Sequence, residues 1–166
     1  MLYLKELNLE DAAEEYACLQ ELPEENGFYN FCCGLTYEAF VSEAIPRHGD
    51  MSKGVGLKPG YVPETWFILW DDGRAVGLFK LRHYLNDALR NGGGHIDYGV
   101  RRGERGKGYG TRGLAMMIEK ARAVIPEDAI YMSVRKDNPA SLKVMLNNGA
   151  FIHHEDEKEY YTRIKL

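Results

Sequence analysis

Between Arg101 and Gly113 the chain reads RRGERGKGYGTRG, a stretch that crowds five glycines among five basic residues. Glycine lets a loop turn its N–H groups inward and lets an anion approach without meeting a Cβ. The bases Arg101, Arg102, Arg105, Lys107 and Arg112 add positive charge around it. A helix beginning just after such a loop adds unpaired N–H groups and a partial positive charge. The chemistry this predicts is capture of a phosphate or pyrophosphate. The 166-residue chain as a whole carries a formal net charge of −4. One compact basic spot on an acidic body suits a small anionic ligand. Binding to nucleic acid or to an anionic membrane surface would need a broader basic face, so neither is expected as a partner.

The elements around the loop strengthen that expectation. LYLKEL alternates as a short strand, and LEDAAEEYACLQEL spaces Leu9, Ala12, Ala13, Tyr16, Leu19 and Leu22 as a helix that Pro23 ends. TYEAFVSEAI predicts a second helix with Thr36 as N-cap, and PRHGDMSKGVGLKPGYVP predicts a long loop. TWFILW and AVGLFKLRHYL read as a hairpin turning at Asp72-Gly73. GGGHIDYGV is a strand that feeds the basic loop, and Thr111–Val124 is the helix that leaves it. AIYMSVR is another strand. Asn138-Pro139 opens a helix as N-cap and first residue, Gly149 ends it, HHEDEKE is a charged surface turn, and YYTRIKL is the last strand. The pattern is a single α/β domain over 1–166, with antiparallel strands early and a strand–helix–strand unit late.

Two nucleotide motifs compete for the loop. GYGTRG, Gly108 to Gly113, matches the dinucleotide fingerprint GxGxxG, with Asp137 as a ribose-binding acid, and an oxidoreductase is the corresponding alternative. About a hundred residues and an antiparallel hairpin precede it, and too few residues follow for the usual parallel array. A P-loop is excluded, because no GK[ST] closes the stretch.

Arg105-Gly106-Lys107-Gly108-Tyr109-Gly110 resembles the R/Q-x-x-G-x-G/A signature of the GNAT superfamily of N-acyltransferases. NPASLKVMLNNGAF, Asn138 to Phe151, is similar to that family's later element of Asn, helix, Gly and aromatic. The resemblance runs from about Trp66 to the end, leaving 1–64 as the acceptor-side helices and loop. It implies the family's fold, α/β of α+β character with a mixed, mostly antiparallel central sheet and helices on both faces, and an N-acetyltransferase activity with acetyl-CoA as co-substrate and no metal. It also implies that the N–H groups of Arg105, Gly106, Lys107, Gly108, Tyr109 and Gly110 hold the pyrophosphate, with Thr111 at the helix start. Tyr98, Val100, Asn138 and Ser141 would meet the pantetheine arm, in the gap where the strand ending at Val100 splays from the one ending at Val134. The Val100 N–H would polarise the thioester carbonyl.

The implied reaction is direct attack of a primary amine, on a small molecule or a peptide, within a ternary complex. Such an amine must lose a proton, and His95 and Asp97 are the base candidates on the strand leading to the loop; His83 is a third. Many family members place a tyrosine acid seven residues beyond the Asn; here that position is Met145, which donates no proton, and Tyr160, Tyr161 or water is the candidate stand-in. Arg102 replaces the family's usual loop proline, and Ala150 separates Gly149 from Phe151. Met145 keeps open a non-catalytic acyl-CoA sensor. From Glu6 to Pro46 there are ten carboxylates and no Lys or Arg, a charge that would attract a cationic acceptor. Apolar strand ends leave a homodimer open. The chain's start has no basic and apolar leader, and Cys18, Cys32 and Cys33 lack zinc spacing. Reduced thiols in a cytoplasmic protein are expected.

Overall fold

A computed structural model describes residues 1–166. Strands β1 (Leu2–Glu6), β2 (Glu64–Asp71), β3 (Arg74–Arg82) and β4 (Ile96–Val100) form an antiparallel sheet in that order. Strands β5 (Ala129–Arg135), β6 (Phe151–Glu155) and β7 (Glu159–Lys165) form a second antiparallel sheet in the order β5-β7-β6. Around them lie α1 (Ala12–Gln20), α2 (Tyr37–Ala39), α3 (Ile45–Ser52), α4 (Asp87–Arg90), α5 (Tyr109–Val124) and α6 (Pro139–Asn147). No helix is long and apolar enough to cross a membrane.

Strand alternation divides the core in two. Phe67, Leu69, Phe79 and Leu81 face α5 and the second sheet, where Leu114, Met117, Ile130 and Met132 are buried with them. Trp66, Ile68, Trp70 and Leu78 face the other way, onto Cys18, Leu19, Phe40 and Ile45 of the early helices. The first sheet is thus covered on both faces, which is why β2 and β3 read as near-continuous apolar runs.

The two sheets meet at one point and then part. Gly94 bridges Met132, the His95 N–H donates to the Tyr131 carbonyl at 2.7 Å, and no ladder joins β4 to β5 beyond that joint. Gly94 has φ +68°, and a Cβ there would lie 2.0 Å from the Tyr131 oxygen, so only glycine permits the approach.

Several elements differ from the sequence expectation. The second helix does not stop before Pro46: α2 passes through a wide π turn, Phe40–Ala44, into α3 and ends at Ser52. The Ile45 N–H donates to the Phe40 carbonyl five residues back, and that shift of bonding lets a residue with no N–H enter the helix. The expected long loop shrinks accordingly. Strand β3 stops at Arg82, and Asn86 caps the short α4, which sequence periodicity did not show. His153 and His154 lie in the edge strand β6, exposed, rather than in a turn.

Candidate functional site

Beyond the Gly94 joint the parting sheets leave a cleft of about 480 Å3. One wall is β4 with the loop that follows it, the other is Ser133 to Arg135 of β5 with the start of α6, and Leu22, Pro23, Asn26 and Phe28 close the side toward the early helices. Of the residues singled out from the sequence, Asp97, Tyr98, Val100, Arg105, Gly106, Gly108, Tyr109, Gly110, Thr111, Asn138 and Ser141 line it. A second hollow of about 490 Å3, against Ile118, Arg122 and Phe151, holds none of them.

The loop presents its backbone. After a 3-10 turn at Arg102–Glu104, Gly106 and Gly108 take φ +79° and +82°, left-handed values that a β-branched residue adopts only under strain. Helix α5 starts at Tyr109, two residues earlier than its apolar periodicity indicated, with Gly108 as N-cap. The N–H groups of Gly106, Lys107, Gly108, Tyr109, Gly110 and Thr111 all lack an acceptor within the protein. An ordinary helix start frees four; this loop extends the run by Gly106 and Lys107. The Arg105 N–H is engaged by the Arg102 carbonyl at 3.4 Å, so the free run begins one residue later than the signature suggested.

The basic side chains are mostly spent elsewhere. Arg101 is buried against Glu14, Glu21 and the Ala75 carbonyl. Arg105 pairs with Glu25 and donates to the Val100 carbonyl at 3.0 Å. Lys107 folds onto Glu104 at 2.8 Å, outside the cleft lining. Arg102 and Arg112 make no ion pair, and Arg112 lies 5.2 Å over the Tyr109 ring. An anion in the cleft would therefore meet mainly backbone N–H groups and the helix dipole.

Strand β4 supplies the next row. The bonds Arg82 N–H to the His95 carbonyl and Arg101 N–H to the Val76 carbonyl fix which β4 residues bond to β3. Asp97 and Gly99 share that phase, so the N–H groups of Tyr98 and Val100 point away from β3, into the opening toward β5. The Tyr98 side chain crosses beneath the opening. It stacks on Phe79, its hydroxyl meets the Ser141 hydroxyl at 2.8 Å, and burial pushes it up to about 12. Asn138 caps α6 by accepting from the Ser141 N–H at 3.3 Å.

The two base candidates separate. Asp97 lines the cleft and pairs with Lys80 at 2.7 Å. His95 is fully buried at the joint of the sheets and outside the cleft lining: Nδ1 accepts from the Tyr131 N–H at 3.0 Å, and Nε2 meets Glu127 at 3.0 Å. Burial lowers its proton affinity against the pull of Glu127. His83 bonds to Thr65 at 2.8 Å, also outside the cleft. Tyr160 sits on β7 with Lys136 5.1 Å over its ring, and the Tyr161 hydroxyl donates to Asp156; neither lines the cleft. Met145 does, but it is packed, and its sulfur accepts from Thr162 at 3.4 Å. Sequence reasoning missed Lys80. Its signal was a lone lysine inside GLFKL, an otherwise apolar strand.

The ten early carboxylates are less free than their number implied. Glu14, Glu21 and Glu25 hold Arg101 and Arg105, Glu10 and Asp11 hold Lys5, and Glu15 is buried under Asn8.

Comparison with known proteins agrees with this geometry. No curated protein sequence matches the chain. Among solved structures, the spermidine N-acetyltransferase from Vibrio cholerae in complex with CoA and spermine is similar at TM-score 0.64 and 15% identity, covering 99% of this chain and 95% of that one. The GNAT-family acetyltransferase from Streptococcus pneumoniae is similar at TM-score 0.63 and 16% identity, covering 100% of each. The GNAT domain of PAT from S. lividans reaches TM-score 0.65 at 13% identity, covering 98% and 89%. These likenesses show the fold. The acetyltransferase (GNAT) family itself matches residues 36–149, most of the chain, including the first signature segment and the second as far as Gly149, so this chain belongs to the GNAT family of acetyltransferases.

Proposed function

We propose that this protein transfers an acetyl group from acetyl-CoA to a primary amine by direct attack in a ternary complex, with 1–166 acting as one domain. The observation that carries the proposal is the run of unengaged N–H groups from Gly106 to Thr111, at a helix start and bordering a cleft. Such a run fits a pyrophosphate and costs free energy if left dry. The Tyr98 and Val100 N–H groups, facing the opening, fit the pantetheine arm and the carbonyl oxygen. Acetyl-CoA bound there would supply an activated acyl carbon.

The chain's part is alignment and proton handling. Asp97 takes a proton from the arriving ammonium, directly or through one water; the freed lone pair forms the C–N bond as the C–S bond breaks, CoA departs as thiolate, and the second proton shed by the nitrogen goes to that thiolate or to water. His95, with both ring nitrogens engaged in joining the sheets, takes no part in this scheme. Tyr98 stays protonated and acts as a hydrogen-bond donor. The thiolate leaves without a tyrosine on α6, because Met145 has no proton to give.

Thermal-shift titrations with acetyl-CoA, CoA and NAD test the ligand. A ligand at a hundred times its Kd adds about 2.7 kcal/mol, so CoA compounds should raise the melting temperature and NAD should not. Thiol release over an amine panel tests the reaction. Stabilisation by NAD alone would favour the oxidoreductase; CoA binding with no thiol release would favour a sensor.

A further inference from the structure

The charges around Asp97 narrow the acceptor. Three carboxylates line the cleft, Glu25, Asp97 and Glu104, and each is held by a cation of the chain. Glu25 is held by Arg105, Asp97 by Lys80 at 2.7 Å, and Glu104 by Arg74 at 3.1 Å and Lys107 at 2.8 Å. An ammonium sharing Asp97 with Lys80 leaves no unpaired carboxylate in the cleft lining for a second ammonium.

What surrounds Asp97 is aromatic and cationic. The Lys80 ammonium is 3% exposed and, besides Asp97, donates to the Tyr29 carbonyl at 2.7 Å. It lies 4.8 Å from the Phe28 ring centre and 5.4 Å from that of Trp66. Phe28 lies against Gly99 so closely that a Cβ there would sit 2.9 Å from the ring. Farther out, Phe31 stacks on Trp66 at 6.5 Å and carries the Arg47 guanidinium 5.9 Å over its face, and Arg47 makes no ion pair. Tyr29 and Phe31 remain 55% and 46% exposed, an aromatic surface beyond the cleft lining that continues from Phe28.

We propose that the acceptor is an arylalkylamine, a primary amine with one positive charge and an aromatic body, and that polyamines are discriminated against. This rests on the acetyl-transfer reading and names its substrate class. The single ammonium approaches Asp97, sharing its carboxylate with Lys80, and the ring packs beside Phe28, which lines the cleft. A second ammonium on a polyamine finds no unpaired carboxylate in the cleft lining, while Lys80 already holds Asp97, and an uncompensated charge is an effective means of rejecting a competitor.

The test is thiol release from acetyl-CoA with 2-phenylethylamine, ethylamine and spermidine. We expect kcat/KM for phenylethylamine to exceed that for ethylamine, which has equal charge and no ring, and that for spermidine by about tenfold or more. Phe28→Ala should lower phenylethylamine turnover about tenfold more than ethylamine turnover. Phe28→Leu, which keeps apolar packing on Gly99, repeats the comparison if the alanine variant fails to fold. Spermidine used as well as or better than phenylethylamine would overturn the inference and leave acetyl transfer standing, as would Phe28 variants that slow both monoamines alike. CoA binding with no amine turned over would overturn acetyl transfer, and this inference with it.

Discussion

At the scale of single residues, the loop works through atoms that have no side chain to identify them. Gly108 takes φ +82°, and no neighbour lies within 4 Å of the place a Cβ would occupy. Its requirement is therefore conformational. Gly108→Val forces a β-branched residue into a left-handed turn, so the loop must rearrange and the N–H groups of Gly106 to Thr111 disperse. Acetyl-CoA affinity measured by calorimetry should fall about hundredfold, the cost of losing one or two charge-assisted bonds, while the melting temperature drops only slightly. Unchanged affinity would remove the basis of the pyrophosphate assignment. Asp97→Asn tests the other end of the cleft. The amide keeps the shape and still accepts from Lys80, but it takes no proton. The expected result is a fall in kcat of about 10² to 10⁴, with acetyl-CoA affinity intact; a variant with full kcat would return the base to solvent.

At the scale of elements, the joint between the sheets determines where the cleft opens. Gly94, the His95 ring and Glu127 fix that joint: the Glu127 carboxylate also accepts from the Leu85 N–H at 2.9 Å, so one buried cluster ties β4, β5 and the loop before α4. His95→Ala leaves the Tyr131 N–H and Glu127 without this partner. It should cost about 2–4 kcal/mol in urea unfolding, yet leave the pH dependence of kcat in the folded fraction unchanged. A shifted pH profile with little loss of stability would make His95 a participant in proton transfer. The sequence placed His95 correctly on the approach to the loop, but alternation alone could not distinguish a side chain aimed at a cleft from one closing a joint. The strand-to-loop-to-helix path, the Asp72-Gly73 hairpin and the Asn138-Pro139 helix start were legible because each depends on local backbone chemistry. The passage of a helix through Pro46 was not, because it requires a π turn whose benefit is the burial of Phe40, Ala44 and Ile45 against a sheet formed by distant residues.

At the scale of the whole molecule, three carboxylates of the acidic early segment and two bases of the loop are partners of one another: Glu14, Glu21 and Glu25 lie some eighty residues from Arg101 and Arg105, and charge counts along the chain show none of these pairings. The same packing of early helices on the sheet buries groups whose titration should shape stability. His48 on α3 lies with its ring centre 3.8 Å from that of Trp66 and its Nε2 3.8 Å from the Cys32 sulfur, and its Nδ1 has no partner. Burial, reinforced by the charges of Arg47 and Lys80, lowers its proton affinity from 6.5 to about 4. The unfolded chain then binds the extra proton between those values, so His48 contributes stability that is complete above pH 6.5 and lost as pH falls toward 4, about 3 kcal/mol in all. Glu15 on α1 has the opposite sign: burial raises it from 4.5 to about 7 against the bonds from Asn8, so its contribution is complete below pH 4.5 and lost as pH rises through 7. Urea melts of the wild type should therefore give a stability maximum on the acid side of neutrality. In His48→Phe, which keeps an aromatic ring against Trp66 and cannot charge, the Glu15 contribution is no longer offset, so stability should gain about 2–3 kcal/mol relative to the wild type as pH falls from 6.5 to 4.5. A pH dependence unchanged from the wild type's would mean that His48 finds a proton acceptor when charged, and that the helix carrying it moves to let it do so.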